Sequence, residues 1–141
     1  MKKKKVNLEF KPVCLFAVSF FENDANLGLE ELGKNISVIS AFDNPPKDDQ
    51  LVDIPNQITV LVICDIEGKA EKELSSLNNK AFSINVDTLK NENDIVDTTT
   101  FFNCKIRNIV YPGWDANSDS ARSLDVEISF ESVLVTHHES E

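Results

Sequence analysis

Apolar and polar residues alternate along much of this chain. Leu124, Val126, Ile128 and Phe130 alternate with Asp125, Glu127, Ser129 and Glu131, the two-residue period of a strand with one face buried. After Ser132 the apolar phase slips by one, to Val133 and Val135, which predicts a bulge near Glu131–Ser132. Phe82, Ile84 and Val86 point inward from a strand over Ala81–Leu89, with Ser83, Asn85 and Asp87 outward. Phe102, Cys104 and Ile106 alternate with Asn103, Lys105 and Arg107, and this strand runs to Val110 before Pro112-Gly113 breaks it. Val13–Phe21 is rich in β-branched and aromatic residues and stops at the turn-forming Glu22-Asn23-Asp24. Ile36, Val38, Ile39 and Phe42 make a second strand, stopped by Asp43-Asn44-Pro45-Pro46.

Gln57–Cys64 breaks the alternation, because Ile58, Val60 and Val62 make one face apolar and Leu61 and Ile63 the other. A strand apolar on both sides needs two covers. Lys69–Asn78 supplies one: Ala70, Leu74 and Leu77 form the apolar stripe of a short helix. Asn26–Lys34 and Lys90–Asp97 read as irregular or polar connections. Asn44–Asn56, with Pro45, Pro46 and Pro55, reads as a loop projecting into solvent. The whole predicts a mainly β protein, an antiparallel β-sandwich or barrel with one short flanking α-helix at about 69–78.

At 141 residues there is material for one core, so residues 1–141 form one domain, with 1–5 a flexible basic tail and 137–141 a flexible C-terminal tail. The 24 acidic and 14 basic residues give a net charge of −10, which disfavours tight nucleic-acid binding. Lys2–Lys5 before the apolar Pro12–Phe21 imitates a signal peptide, but Glu9 and Lys11 interrupt it and no small-residue cleavage site follows. No stretch approaches the ~20 apolar residues of a membrane span, so the expectation is a protein kept in the cytoplasm without membrane insertion.

The sequence offers little chemistry. Cys14, Cys64 and Cys104 are widely spaced, sit in apolar runs and read as small buried hydrophobes. His137 and His138 are adjacent, so on a strand they face opposite ways and cannot jointly chelate; a frayed tail is their expected home. Asp115, Asp119 and Asp125 lack the spacing of a calcium loop. No catalytic or phosphate-binding motif occurs, and no enzyme activity, metal or cofactor is expected. Lys105 and Arg107 share an outward face with Asp125 and Glu127, read as surface ion pairs.

The order of elements and the pattern Phe101-Phe-Asn-Cys-Lys-Ile-Arg-Asn-Ile-Val-Tyr-Pro112, polar loop, Leu124-Asp-Val-Glu-Ile-Ser-Phe130 resemble the tail-tube proteins of contractile-tailed bacteriophages and their relatives in injection and type VI secretion systems. The resemblance implies a structural virion component, assembled in the host bacterial cytoplasm and located in the tail. It implies six-fold rings, sheets continuing edge to edge between copies, stacking into a conduit that DNA traverses, and other tail or baseplate proteins as partners. Terminator and baseplate-hub components share the fold and the pattern. On this reading the contacts fall at strand edges, at Leu61 and Ile63 of the doubly apolar strand, and in the loop of Pro45, Pro46, Asp48 and Asp49. Tyr111 and Trp114 anchor either the core, the preferred reading for a lone Trp, or a neighbouring subunit. The rival reading is a monomeric module that binds a protein or glycan through the loops Asn44–Asn56 and Pro112–Arg122.

Overall fold

The computed structural model of the protein describes residues 15–40, 51–64, 68–91, 94–111 and 123–138, with the backbone alone at 54–56. Asn23 and Asp24 take positive φ of 51° and 68°, the pair of left-handed residues that closes a two-residue hairpin. They fold strand β1 (Leu15–Glu22) back onto the short β2 (Ala25–Asn26). Helix α1 (Glu30–Lys34), strand β3 (Ile36–Ile39) and strand β4 (Val52–Cys64) follow. Helix α2 (Lys69–Leu74) continues as a 3₁₀ turn at Ser75–Leu77, and β5 (Phe82–Asn91), β6 (Asp94–Val110) and β7 (Ser123–His137) complete the chain.

All pairings are antiparallel, in the order β2-β1-β5-β6-β7-β4-β3. The two ends of that order approach each other across a cavity without pairing: Leu15 and Phe16 of β1 line it with Ile39 and Ser40 at the end of β3. The sheet therefore closes over on itself as a sandwich, and one core fills it, with Phe20, Leu61, Ile63, Ile84, Leu124, Val126, Ile128 and Phe130 each at most 1% exposed. Phe101 and Phe130 meet edge to face at 4.9 Å near its centre. Helix α2 adds Ala70, Leu74 and Leu77 to the core, as its apolar stripe requires. Among the described residues no helix is long and apolar enough to cross a membrane.

Several expectations are corrected by pairing between strands. Asn26–Lys34 is not wholly irregular, because α1 forms there with Leu32 fully buried. The stretch 52–56 belongs to β4 rather than to a loop: Val52 and Asp53 pair with Val133 and Ser132. Pro55, which has no N–H for a ladder, falls where the register shifts between Asp53 and Gln57. That irregularity lies opposite the bulge expected near Glu131–Ser132, and the extra residues are in β4. Lys90–Asp97 is a hairpin, with Leu89 opposite Ile95 and Asn91 opposite Asp94; its polarity marks exposure, not the absence of a strand. The inward aromatic of β6 is Phe101, not Phe102. Phe82 pairs with Cys104 and Ile84 with Phe101, so β6 carries one extra residue there, and Asn103 takes the positive φ of 55° that absorbs it. Finally, β7 continues through His137, and His138 N donates to Val96 O at 2.9 Å.

Candidate functional site

The strand edges differ in how they end. On β1, Phe20 O accepts from Leu27 N at 2.9 Å, and Phe21 and Glu22 pair with β2. Carbonyls two residues apart on a strand point to the same side, so Val18 O faces that edge too. Helix α1 covers it: a Cβ on Gly33 would lie 2.4 Å from Val18 O, which only glycine avoids. Helix α2 holds α1 in place, with the Glu73 carboxylate accepting from Leu32 N at 2.7 Å and so satisfying an orphan N–H of the first turn.

The other two edges have no covering strand among the described residues. β3 ends the strand order. Ser40 N donates to Val60 O at 3.0 Å, so alternation turns the N–H and C=O of Ile39 away from β4, toward the open side. β6 has a second open edge, because β5 accompanies it only as far as Cys104 whereas β7 pairs with it to Val110. Among the described residues no strand pairs with 105–110 of β6 on the side away from β7. Within this half of the sheet the order is β6-β7-β4-β3, with both outer edges open. Its outward face mixes apolar and charged groups. Val38 and Ile58 are each 50% exposed, Val60 and Val62 are half-buried, and Val62 and Val60 stand opposite Asp125 and Glu127.

Two concavities adjoin these edges. One, of about 280 Å³, is the mouth between β1, β3, β5 and β6, lined by Phe16, Ile39, Val86 and Phe101 among others. The second, of about 480 Å³, lies beside the open edge of β6 and is lined by Asn79, Lys80, Ala81, Lys105, Ile106 and Arg107. Arg107 does not take the expected carboxylate partner: its Nε donates to Ser129 Oγ at 3.0 Å. Arg107 lies where the register shifts between Ile106 and Asn108, and its bond to Ser129 still ends on the outward face that Ser129 shares with Asp125 and Glu127.

One polar cluster resembles a relay. Thr98 Oγ1 donates to Asp87 Oδ1 at 2.7 Å and meets His138 Nε2 at 2.8 Å. A hydroxyl has one proton. With that proton directed at Asp87, the imidazole N–H must donate to Thr98, the reverse of what a general base does to a nucleophile. The cluster clasps the end of β7 to β6, helped by His137 Nδ1 at 3.9 Å from Asp97 Oδ2. Cys104 is buried and its thiol is pushed up to about 12 by desolvation, the state of an inert core thiol. Cys64 is half-buried beside Ser37, and Cys14 lies outside the described residues. Among those residues no group of three or more His, Cys, Asp or Glu could hold a metal ion.

Of the residues expected at contacts, the structure describes Leu61, Ile63 and Tyr111. Leu61 and Ile63 are at most 1% exposed and pack in the core of the subunit; of the two apolar faces of β4, the one left uncovered is that of Ile58, Val60 and Val62. Tyr111 is 48% exposed and follows the open edge of β6 directly. Pro45, Pro46, Asp48, Asp49 and Trp114 lie outside the described residues, as does most of each loop that carries them. The open edge of β6 had a signal in the sequence: its apolar pattern runs on to Val110, beyond any stretch of β5 able to accompany it.

No family model matches the chain, and no curated protein matches it in sequence. Solved structures do match. A chain of the PVC sheath/tube terminator of an extracellular contractile injection system, in its extended state, aligns at a TM-score of 0.61 and 14% identity, over 88% of this chain and 94% of that one. A chain of the PVC sheath-tube complex in the extended state aligns at 0.62 and 14%, over 97% and 100%. Hcp1 from Flavobacterium johnsoniae aligns at 0.52 and 11%, over 90% and 98%. Across nearly its whole length, this chain therefore has the fold of chains from contractile injection systems and of Hcp proteins, the fold that its strand order and C-terminal strand pattern implied.

Proposed function

We propose that this protein is a non-enzymatic structural subunit of the tail-tube type, and that it works by pairing the open edge of β3 in one copy with the open edge of β6 in the next. The observation that carries this reading is the pair of edges left unpaired, among the described residues, on one half of the sheet, where the β1 edge is closed by β2 and α1. Unpaired edges that a monomer would be expected to blunt are templates for another chain. Two different edges meeting head to tail make a heterologous contact, which closes into a ring when the rotation permits. The ring is a hexamer, the rings stack into a conduit for DNA, and other tail or baseplate proteins bind its ends. Pro45, Pro46, Asp48, Asp49, Tyr111 and Trp114 contribute contacts between copies. The assembly belongs to a virion tail built in the host bacterial cytoplasm.

Light scattering across a concentration series, with negative-stain imaging of the heaviest fraction, tests this. Rings that stack into tubes are the expected result. A strict monomer at every concentration favours a binding module instead. A specific observation supports a second reading: the match to a tube-terminator structure is as good as that to a sheath-tube complex. Rings that never stack would select the terminator.

A further inference from the structure

In a chain with a net charge of −10, three cations gather around one cavity. Lys80, Lys105 and Arg107 line it, beside the open edge of β6. Lys80 Nζ is 3.8 Å from Glu22 Oε1, and the bond from Arg107 Nε to Ser129 Oγ fixes the plane of the guanidinium while its other nitrogens remain donors. The cluster sits on a lining that is polar and open, suited to carboxylates rather than to an apolar anchor.

The segment that precedes the other open edge carries the complementary charge. α1 leads into β3 through the single residue Asn35, so its carboxylates lie close in the chain to the β3 edge. That helix opens with Glu30, which is exposed, and Glu31, which pairs with Lys34 at 3.0 Å. We propose that the basic cavity of Lys80, Lys105 and Arg107 receives the Glu30–Glu31 end of α1 from the next copy of this chain. The clamp rests on the edge-pairing reading above and deepens it, because hydrogen bonds between backbones do not distinguish one edge from another. Placing cations at one edge and carboxylates at the other makes β6 meet β3, and makes β6 reject β6, through like-charge repulsion.

The test uses two charge-reversed forms of the full chain, Lys105→Glu with Arg107→Glu, and Glu30→Lys with Glu31→Lys. Circular dichroism of each checks that the subunit folds. Each form alone is expected to need at least about a hundredfold more protein than the wild type to assemble by light scattering. Mixed in equal amounts they assemble again, because every reversed cavity then faces a reversed helix in an alternating ring. Reversed forms that assemble like the wild type, or a mixture that fails to recover, would overturn the clamp while wild-type rings leave edge pairing standing. A wild type that stays monomeric removes both.

Discussion

The edge of β1 and the edges of β3 and β6 are finished differently. β1 is closed by a hairpin, and by a helix that only glycine lets approach its carbonyls. β3 on the side away from β4, and the distal part of β6 on the side away from β7, have no strand beside them among the described residues. The contrast teaches that a bare edge here is not a general failure to protect strands. The described residues include a device for covering one edge and leave two others open on one half of the sheet, where they can serve as a matched pair.

The largest effect comes from uncovering the protected edge. Leu32 is fully buried and holds α1 against the core, so Leu32→Ala should cost about 2–5 kcal/mol in denaturant unfolding. It should also promote aggregation, as a third edge is exposed. An unchanged midpoint would mean that α1 is not what protects β1.

Ile39→Pro acts on an open edge instead. The N–H it removes points away from β4, so the β3–β4 ladder survives, and the subunit should lose only about 1–2 kcal/mol as part of a half-buried side chain goes. Assembly should nevertheless fail by light scattering. Rings formed by folded Ile39→Pro protein would take β3 out of the contact.

The smallest effect distinguishes the interior from the open half. With a thiol pushed up to about 12, buried Cys104 should resist alkylation in the native state, whereas half-buried Cys64 reacts first, as mass spectrometry can follow. Burial disfavours the thiolate, so the native state holds the proton longer than the unfolded chain. Stability is therefore unaffected by this group below the thiol's ordinary value of 9.0, and falls as pH rises from there toward about 12. Cys104→Ala should flatten that alkaline slope while lowering the plateau.

Where one face is buried and the other wet, the sequence was readable. Leu124, Val126, Ile128 and Phe130 were expected inward and are each at most 1% exposed, because a period of two fixes which side chains share a face. The stripe of α2 was legible for the same reason. Periodicity also placed Leu61 and Ile63 together on one face of β4, but could not say whether the subunit or a neighbour covers it. That depends on what else reaches the face. The left-handed Asn103, the extra residue that makes Phe101 rather than Phe102 core, and the passage of β4 through Pro55 depend likewise on residues far away in the chain.

The sequence by itself thus determined an antiparallel β protein with one flanking amphipathic helix, through local patterns of apolar residues. Only the tertiary structure decided which edges are closed, which apolar face is bare, and that Lys80 joins Lys105 and Arg107 around one cavity. Those features arise from register and from where the strands stop accompanying one another. They are set by contacts between distant segments, and no local period records them.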